Sequence, residues 1–237
     1  REYTVEAGRP DCTTPEKLAV IKEYGATRIS INPQTLSDEV LAAIGAGILR
    51  RMFWTALHRR GGWATGTSIW TSSRAAAGYA CTVCADAAGG AALAPENITV
   101  HTLTLKRASN LVIEHAPNAY GDVARMLDSC ALLGENGYEP YYLYRQKGTL
   151  QNLENTGYTR PGYAGLYNVF IMEEVHTILS AGAGGSTKLV GRTAHRRIFN
   201  HKYPLEYIER FDVVQARKQG VDDFYAKYAD LDPETAR

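Results

Sequence analysis

The opening 45 residues constrain the fold most, because they read as strand, helix and strand in quick succession. Residues 3 to 7 alternate along YTVEA, and Gly8, Arg9, Pro10 and Asp11 then mark a turn. Thr13 and Glu16 have capping-box spacing, and Pro15 suits a first helical turn. Leu18, Ile21 and Tyr24 form an apolar stripe before Gly25 stops the helix. The next run, TRISINPQ, alternates Ile29 and Ile31 with Ser30 and Asn32. Two strands joined through a helix make a parallel βαβ unit, whose loops of chemical interest lie at the strand C-termini.

Later segments continue the α/β pattern. A second helix is expected from Ser37 to Ile44, a buried strand over NITVHTLTL (97 to 105), a helix over 120 to 135 and a strand over YEPYYLYRQ (138 to 146). GLYNVFIM (165 to 172) reads as a further strand. The last 40 residues read as polar helix, with ERFDVVQARKQ placing mixed charge on a solvated face. Between Gly45 and Gly90 the periodicity collapses, so residues 46 to 90 are expected to be the least ordered part of the chain, with any helices there packing poorly.

At 237 residues the chain suits one large domain or two modest ones. Twenty-six basic and 25 acidic residues leave a net charge of +1, which argues against a nucleic-acid partner. No apolar run reaches the ~18 residues that a membrane span needs, so no membrane partner is expected. Four cysteines without repeated spacing do not make a secreted disulfide framework, and a cytoplasmic location is expected. The chain opens at Arg1 directly on a strand, so a fragment of a longer protein is expected.

Cys81 and Cys84 have the C-x-x-C spacing of zinc ribbons, redox pairs and iron–sulfur sites. A four-thiolate site would want a second pair, and Cys12 and Cys130 stand alone. A thioredoxin-like motif would want a strand feeding directly into a helix, whereas Ala, Gly and Thr surround this one. Cys81 and Cys84 are therefore read as no site.

The flanks carry a specific resemblance. YTVEAGRPD, RISINPQTLSDEVLAAIG, APENITVHTLTLKRAS, GYEPYYLYRQK, NLENTGY and MEEVHTILSAGAGGSTKLV resemble the oxygen-independent coproporphyrinogen III oxidase family of radical S-adenosylmethionine enzymes, in its coproporphyrinogen dehydrogenase branch. The likeness covers residues 1 to 45 and 91 to about 212. The family continues after IG with a G-R-x-H-T helix and a strand ending D-L-I-x-G-L-P-G, and neither stands in residues 46 to 90. Shifted codon frames restore both. Read from the third base of the Gly47 codon, GILRRMFWT permits HTAEDVLD, with Val, Leu and Asp forced by Met52, Phe53, Trp54 and Thr55. The same frame turns TSIWTSSR into a family-like HIHMDLIAG. A run of misread codons over 46 to 90 also accounts for Cys81 and Cys84.

The resemblance implies the later half of an incomplete, TIM-type parallel radical S-adenosylmethionine barrel over residues 1 to 106, with an α+β accessory domain over 107 to 237. It implies S-adenosylmethionine and a [4Fe-4S] cluster at the strand C-termini. The cluster cysteines, in C-x-x-x-C-x-x-C spacing, would lie upstream of Arg1, and Cys12 is read as structural. The implied reaction takes a hydrogen atom from a propionate of coproporphyrinogen III and releases carbon dioxide. A vinyl group remains, and the surplus electron passes to an unidentified acceptor. Two rounds give protoporphyrinogen IX. The resemblance makes Glu6, at the end of the first strand, and Gln34, in INPQ, the cofactor ligands present in this chain.

Arg145, Arg196 and Arg197 are candidate partners for tetrapyrrole carboxylates, although a basic run such as 195 to 202 is more commonly a solvated loop. His101, inside a strand, reads as a core histidine. GAGGSTK (182 to 188) imitates a phosphate loop without its residue order and reads as a tight turn. Two other readings stand beside the oxidoreductase. A haem-delivery relative would show H-N-x-x-Y-W where this chain has Tyr167, Asn168, Val169 and Phe170. An inactive product of misread codons is the third.

Overall fold

The computed structural model describes residues 2–33, 35–43, 51–52, 55, 64–71, 82–102, 123–145, 154–192 and 194–228. They form two compact units, residues 1–169 and 170–237. The division anticipated at 106/107 lies outside the described residues.

The first unit is built on a six-stranded sheet of order β1-β2-β3-β4-β6-β5. Strands β1 (Thr4–Gly8), β2 (Arg28–Ile31), β3 (Ala64–Thr71) and β4 (Asn97–Thr102) are parallel neighbours. Strand β6 (Glu154–Thr159) joins β4 antiparallel, and β5 (Glu139–Arg145) joins β6 antiparallel at the edge. Helices α1 (Pro15–Glu23), α2 (Asp38–Ala43) and α3 (Thr82–Ala92) fall in sequence between the parallel strands, and α4 (Val123–Glu135) precedes β5.

The alternation in each strand sorts its side chains onto two faces. Ile29 and Ile31 of β2 are fully buried with Leu18 of α1, and Ala7, Ile21, Leu36 and Leu93 pack around them. Ile98 and Val100 of β4 bury against Ala87 and Ala91 of α3, Leu133 of α4, Tyr138 and Tyr158. The small alanines of α3 let that helix lie close to α4 and the sheet. The Tyr138 hydroxyl donates to the Pro95 carbonyl at 2.6 Å, so even this deep phenol is satisfied.

The second unit contains the antiparallel pair β7 (Ser186–Val190) and β8 (His195–Phe199), with α6 (Pro204–Glu209), α7 (Phe211–Lys218) and α8 (Gly220–Tyr228). Helix α5 (Leu166–Glu173) contains the boundary between the two units. Leu189, Ile198 and Phe224 form the second unit's core, with Ala194, Val221, Tyr225 and Tyr228 around them. The GAGG stretch turns tightly before β7, with Gly182 at φ 91° and Gly184 at φ 72°. Lys218 clamps this turn by donating to the Ser180 carbonyl at 2.8 Å, and burial pushes its ammonium pKa below the ordinary value.

Several sequence expectations need correction. GLYNVFIM is the helix α5 rather than a strand, because Gly165 and the Glu2 carboxylate, which accepts the Leu166 N–H at 2.9 Å, start it as one. The helix cap is Thr14, whose side chain accepts from the Lys17 N–H at 3.3 Å; Thr13 instead donates to the Arg9 carbonyl at 3.1 Å. Within residues 46 to 90, β3 pairs on both sides, and α3 does not pack poorly, since its Ala87 lies buried in the core. Both neighbours of β3 are strongly specified strands that supply ladder partners to a weakly patterned segment. The basic run after residue 194 begins as β8, in which only Ile198 is buried.

Candidate functional site

The sheet face opposite the helices is polar and lines a cleft of about 260 Å³. Strand alternation puts Thr4 and Glu6 of β1, Ser30 and then Asn32 from β2, and Thr99 and His101 of β4 on this face. Tyr142 and Tyr141 of β5 and Asn168 of α5 close one side.

One end of the cleft is taken up by internal pairing. Arg28 donates to the Tyr163 carbonyl at 2.8 Å and to Asn97 Oδ1, and its Nε lies 3.7 Å from Glu2 Oε2. Asn97 donates to the same carbonyl at 2.9 Å and to Thr159 Oγ1 at 2.8 Å. Glu2 and Arg28 therefore offset each other's charge, and Glu6 is left as the uncompensated charge of the lining. Among the described residues the Glu6 carboxylate has no hydrogen-bonding or ionic partner.

The tyrosines of β5 reach over β6 to β4. The Tyr142 hydroxyl lies 3.1 Å from Thr99 Oγ1, and the Tyr144 hydroxyl 2.9 Å from His101 Nδ1. Asn168 Nδ2 donates to the Tyr141 hydroxyl at 2.8 Å. Burial depresses the His101 pKa to about 4, so the imidazole is neutral near pH 7. Burial raises the pKa of Tyr141, Tyr142 and Tyr144, and all three keep their protons. A protonated phenol facing a neutral imidazole can donate to Nδ1, which leaves the N–H on Nε2. With Glu2 set against Arg28, the one uncompensated carboxylate among the described lining residues, beside hydrogen-bonding groups and aromatic faces, suits a ligand that joins a cationic group to a flat ring.

The anticipated site residues are scattered. Glu6 lies in the cleft, while Gln34 and Cys81 are outside the described residues, as is the side chain of Cys84. Arg145 is exposed at the end of β5 and paired with Glu154 at 2.7 Å. Arg196 and Arg197 belong to the second unit, where Arg197 lies 3.5 Å from Glu174 and Arg196 packs near Gly220. No group of three or more His, Cys, Asp or Glu able to hold a metal occurs among the described residues. Of the described cysteines, Cys12 is exposed, and Cys130 lies half-buried beside Tyr158. His101 is not a core residue: it shares the cleft face with Asn97 and Thr99, while Ile98 and Val100 take the core face. That alternation was visible in NITVHT, and it marks the histidine as belonging with the polar set.

These features define a mixed α/β protein, parallel through its first four strands, with a ligand cleft on the sheet face opposite the helices. No protein-family model matches the chain. Over 223 residues it is 40% identical to the oxygen-independent coproporphyrinogen-III oxidase-like protein HemZ of Bacillus subtilis, a match covering 90% of this chain and 44% of that protein. This similarity agrees with the resemblance that the chain's flanking motifs carry. Its fold is similar to that of coproporphyrinogen III oxidase HemN from Escherichia coli, a radical SAM enzyme, with a TM-score of 0.64 at 14% identity over 89% of this chain and 49% of that one. The chain spans about half the length of both relatives.

Proposed function

We propose that the cleft is the S-adenosylmethionine site of a radical S-adenosylmethionine oxidoreductase of haem biosynthesis, acting on the propionates of coproporphyrinogen III. In this reading the parallel sheet is part of an incomplete barrel, and the segment after it is accessory. The observation that carries the proposal is Glu6, a carboxylate with no partner among the described residues, in a polar cleft on a parallel sheet. Such a group fits the ammonium of S-adenosylmethionine by a charge-assisted hydrogen bond. When bound, that cofactor supplies the hydrogen-abstracting chemistry, and the chain's own residues position it and exclude water.

His101, held by Tyr144, offers a neutral hydrogen-bonding group to the bound ligand. Of the candidate substrate arginines, Arg196 in the second unit is the one with no ionic partner among the described residues, which leaves its charge available for a carboxylate. The described residues do not fit an iron–sulfur cluster, so no step is derived through one. Nothing in the cleft favours haem delivery over oxidation.

Calorimetric titration of the chain with S-adenosylmethionine tests this reading. Glu6→Gln should weaken binding by about 1.5 to 3 kcal/mol, the usual worth of a hydrogen bond to a charged group. Equal affinity in the variant would remove Glu6 from the site.

A further inference from the structure

Gly157 of β6 stands in register between Thr99 of β4 and Tyr142 of β5. The Tyr142 ring lies directly over it. A Cβ at position 157 would stand 2.7 Å from Tyr142 Cζ and closer still to Cδ1 and Cε1, inside any real contact distance. Only the missing side chain lets the phenol cross β6 and reach Thr99. Tyr144 follows the same course one pleat along, its ring parallel to that of Tyr142 within 1° at a centroid distance of 6.3 Å. Tyr141 meets Tyr142 at a steep angle, with ring centroids 4.8 Å apart, which helps to hold the ring in place.

We infer that Gly157 is the positioning residue of the cleft, and that the Tyr142 face it admits stacks the planar heterocycle of the ligand. The inference rests on the reading above that the cleft takes S-adenosylmethionine, and it assigns that ligand's flat ring to the tyrosine wall. Size and charge point the same way. A cleft of about 260 Å³ lies near the lower limit for ligand pockets, so it suits one ring system with a charged arm rather than a four-ring macrocycle. Glu6 and Tyr142 line the same cleft, so one ligand can meet the carboxylate and the ring together.

The test is calorimetric titration of the full chain with S-adenosylmethionine, alongside near- and far-ultraviolet circular dichroism. In Gly157→Ala the tyrosine ring can swing out at little cost, so the far-ultraviolet spectrum should hold while the tyrosine bands change. Affinity should fall by about tenfold, as expected for the loss of one stacked ring. Tyr142→Phe keeps the ring and should stay within about threefold of the parent. Tyr142→Ala should match Gly157→Ala, and the double variant should lose nothing further, an outcome that a general loosening of the sheet would not produce. Parental affinity in Gly157→Ala, or a further loss in the double variant, overturns the wall and leaves the Glu6 reading standing. No binding by the unaltered chain overturns both.

Discussion

His101 links stability to acidity as well as lining the cleft. Its folded pKa of about 4 lies below the ordinary 6.5. On acidification the unfolded chain therefore takes up this proton first, and the stabilising contribution of the buried neutral imidazole is complete only above about pH 6.5. It is lost progressively as pH falls toward 4, where the folded form protonates too. Two and a half pKa units correspond to roughly 3 kcal/mol as an upper figure. Urea unfolding followed at pH 7.5 and 4.5 should show this loss in the parent. His101→Gln should show a smaller difference, because the remaining change comes from carboxylates such as Glu174, whose pKa Lys188 and its basic neighbours hold below the usual range. An unchanged pH dependence in His101→Gln would mean that the imidazole is hydrated. The residue was misplaced from sequence because a histidine between Val100 and Thr102 resembles core until the faces are counted.

Among the elements, α1 shows how far local chemistry carries. Thr14→Ala removes the acceptor of the Lys17 N–H and should cost about 1 kcal/mol in thermal or urea unfolding. Glu16 suggested Thr13 as the cap, but a proline at the first helical position fixes the cap one residue before it, at Thr14. Strands β2 and β4 were legible because each alternates sharply and buries one face, and β1 because YTVEA alternates before the turn at Gly8. Helix α5 was not, since an eight-residue apolar run fits a buried strand as well as a helix and its start is set by Glu2, 164 residues earlier. Strand β8 was hidden for the opposite reason, as Ile198 is its one buried residue and HRR looks like solvated charge. In the cleft, Glu6 was legible through its motif. The tyrosine wall was not, because it depends on Gly157 meeting Tyr142 across two strands, which no local pattern encodes.

For the molecule as a whole, two independent cores sit on either side of position 169, and no described helix is long and apolar enough to cross a membrane. In the first unit a single sheet serves as both scaffold and cleft wall. On β1 and β2 the even-numbered positions face the cleft, and on β4 the odd-numbered ones do. The intervening numbers hold the helices in place. A saturation scan scored separately for abundance and for ligand affinity should therefore separate by parity. Changes at Ile29, Ile31, Ile98 and Val100 would deplete the protein, while changes at Ser30 and Thr99 would spare its level and alter what it binds. Inheritable variation in this sheet thus has two independent channels, one open to drift in specificity and one closed by the need to fold.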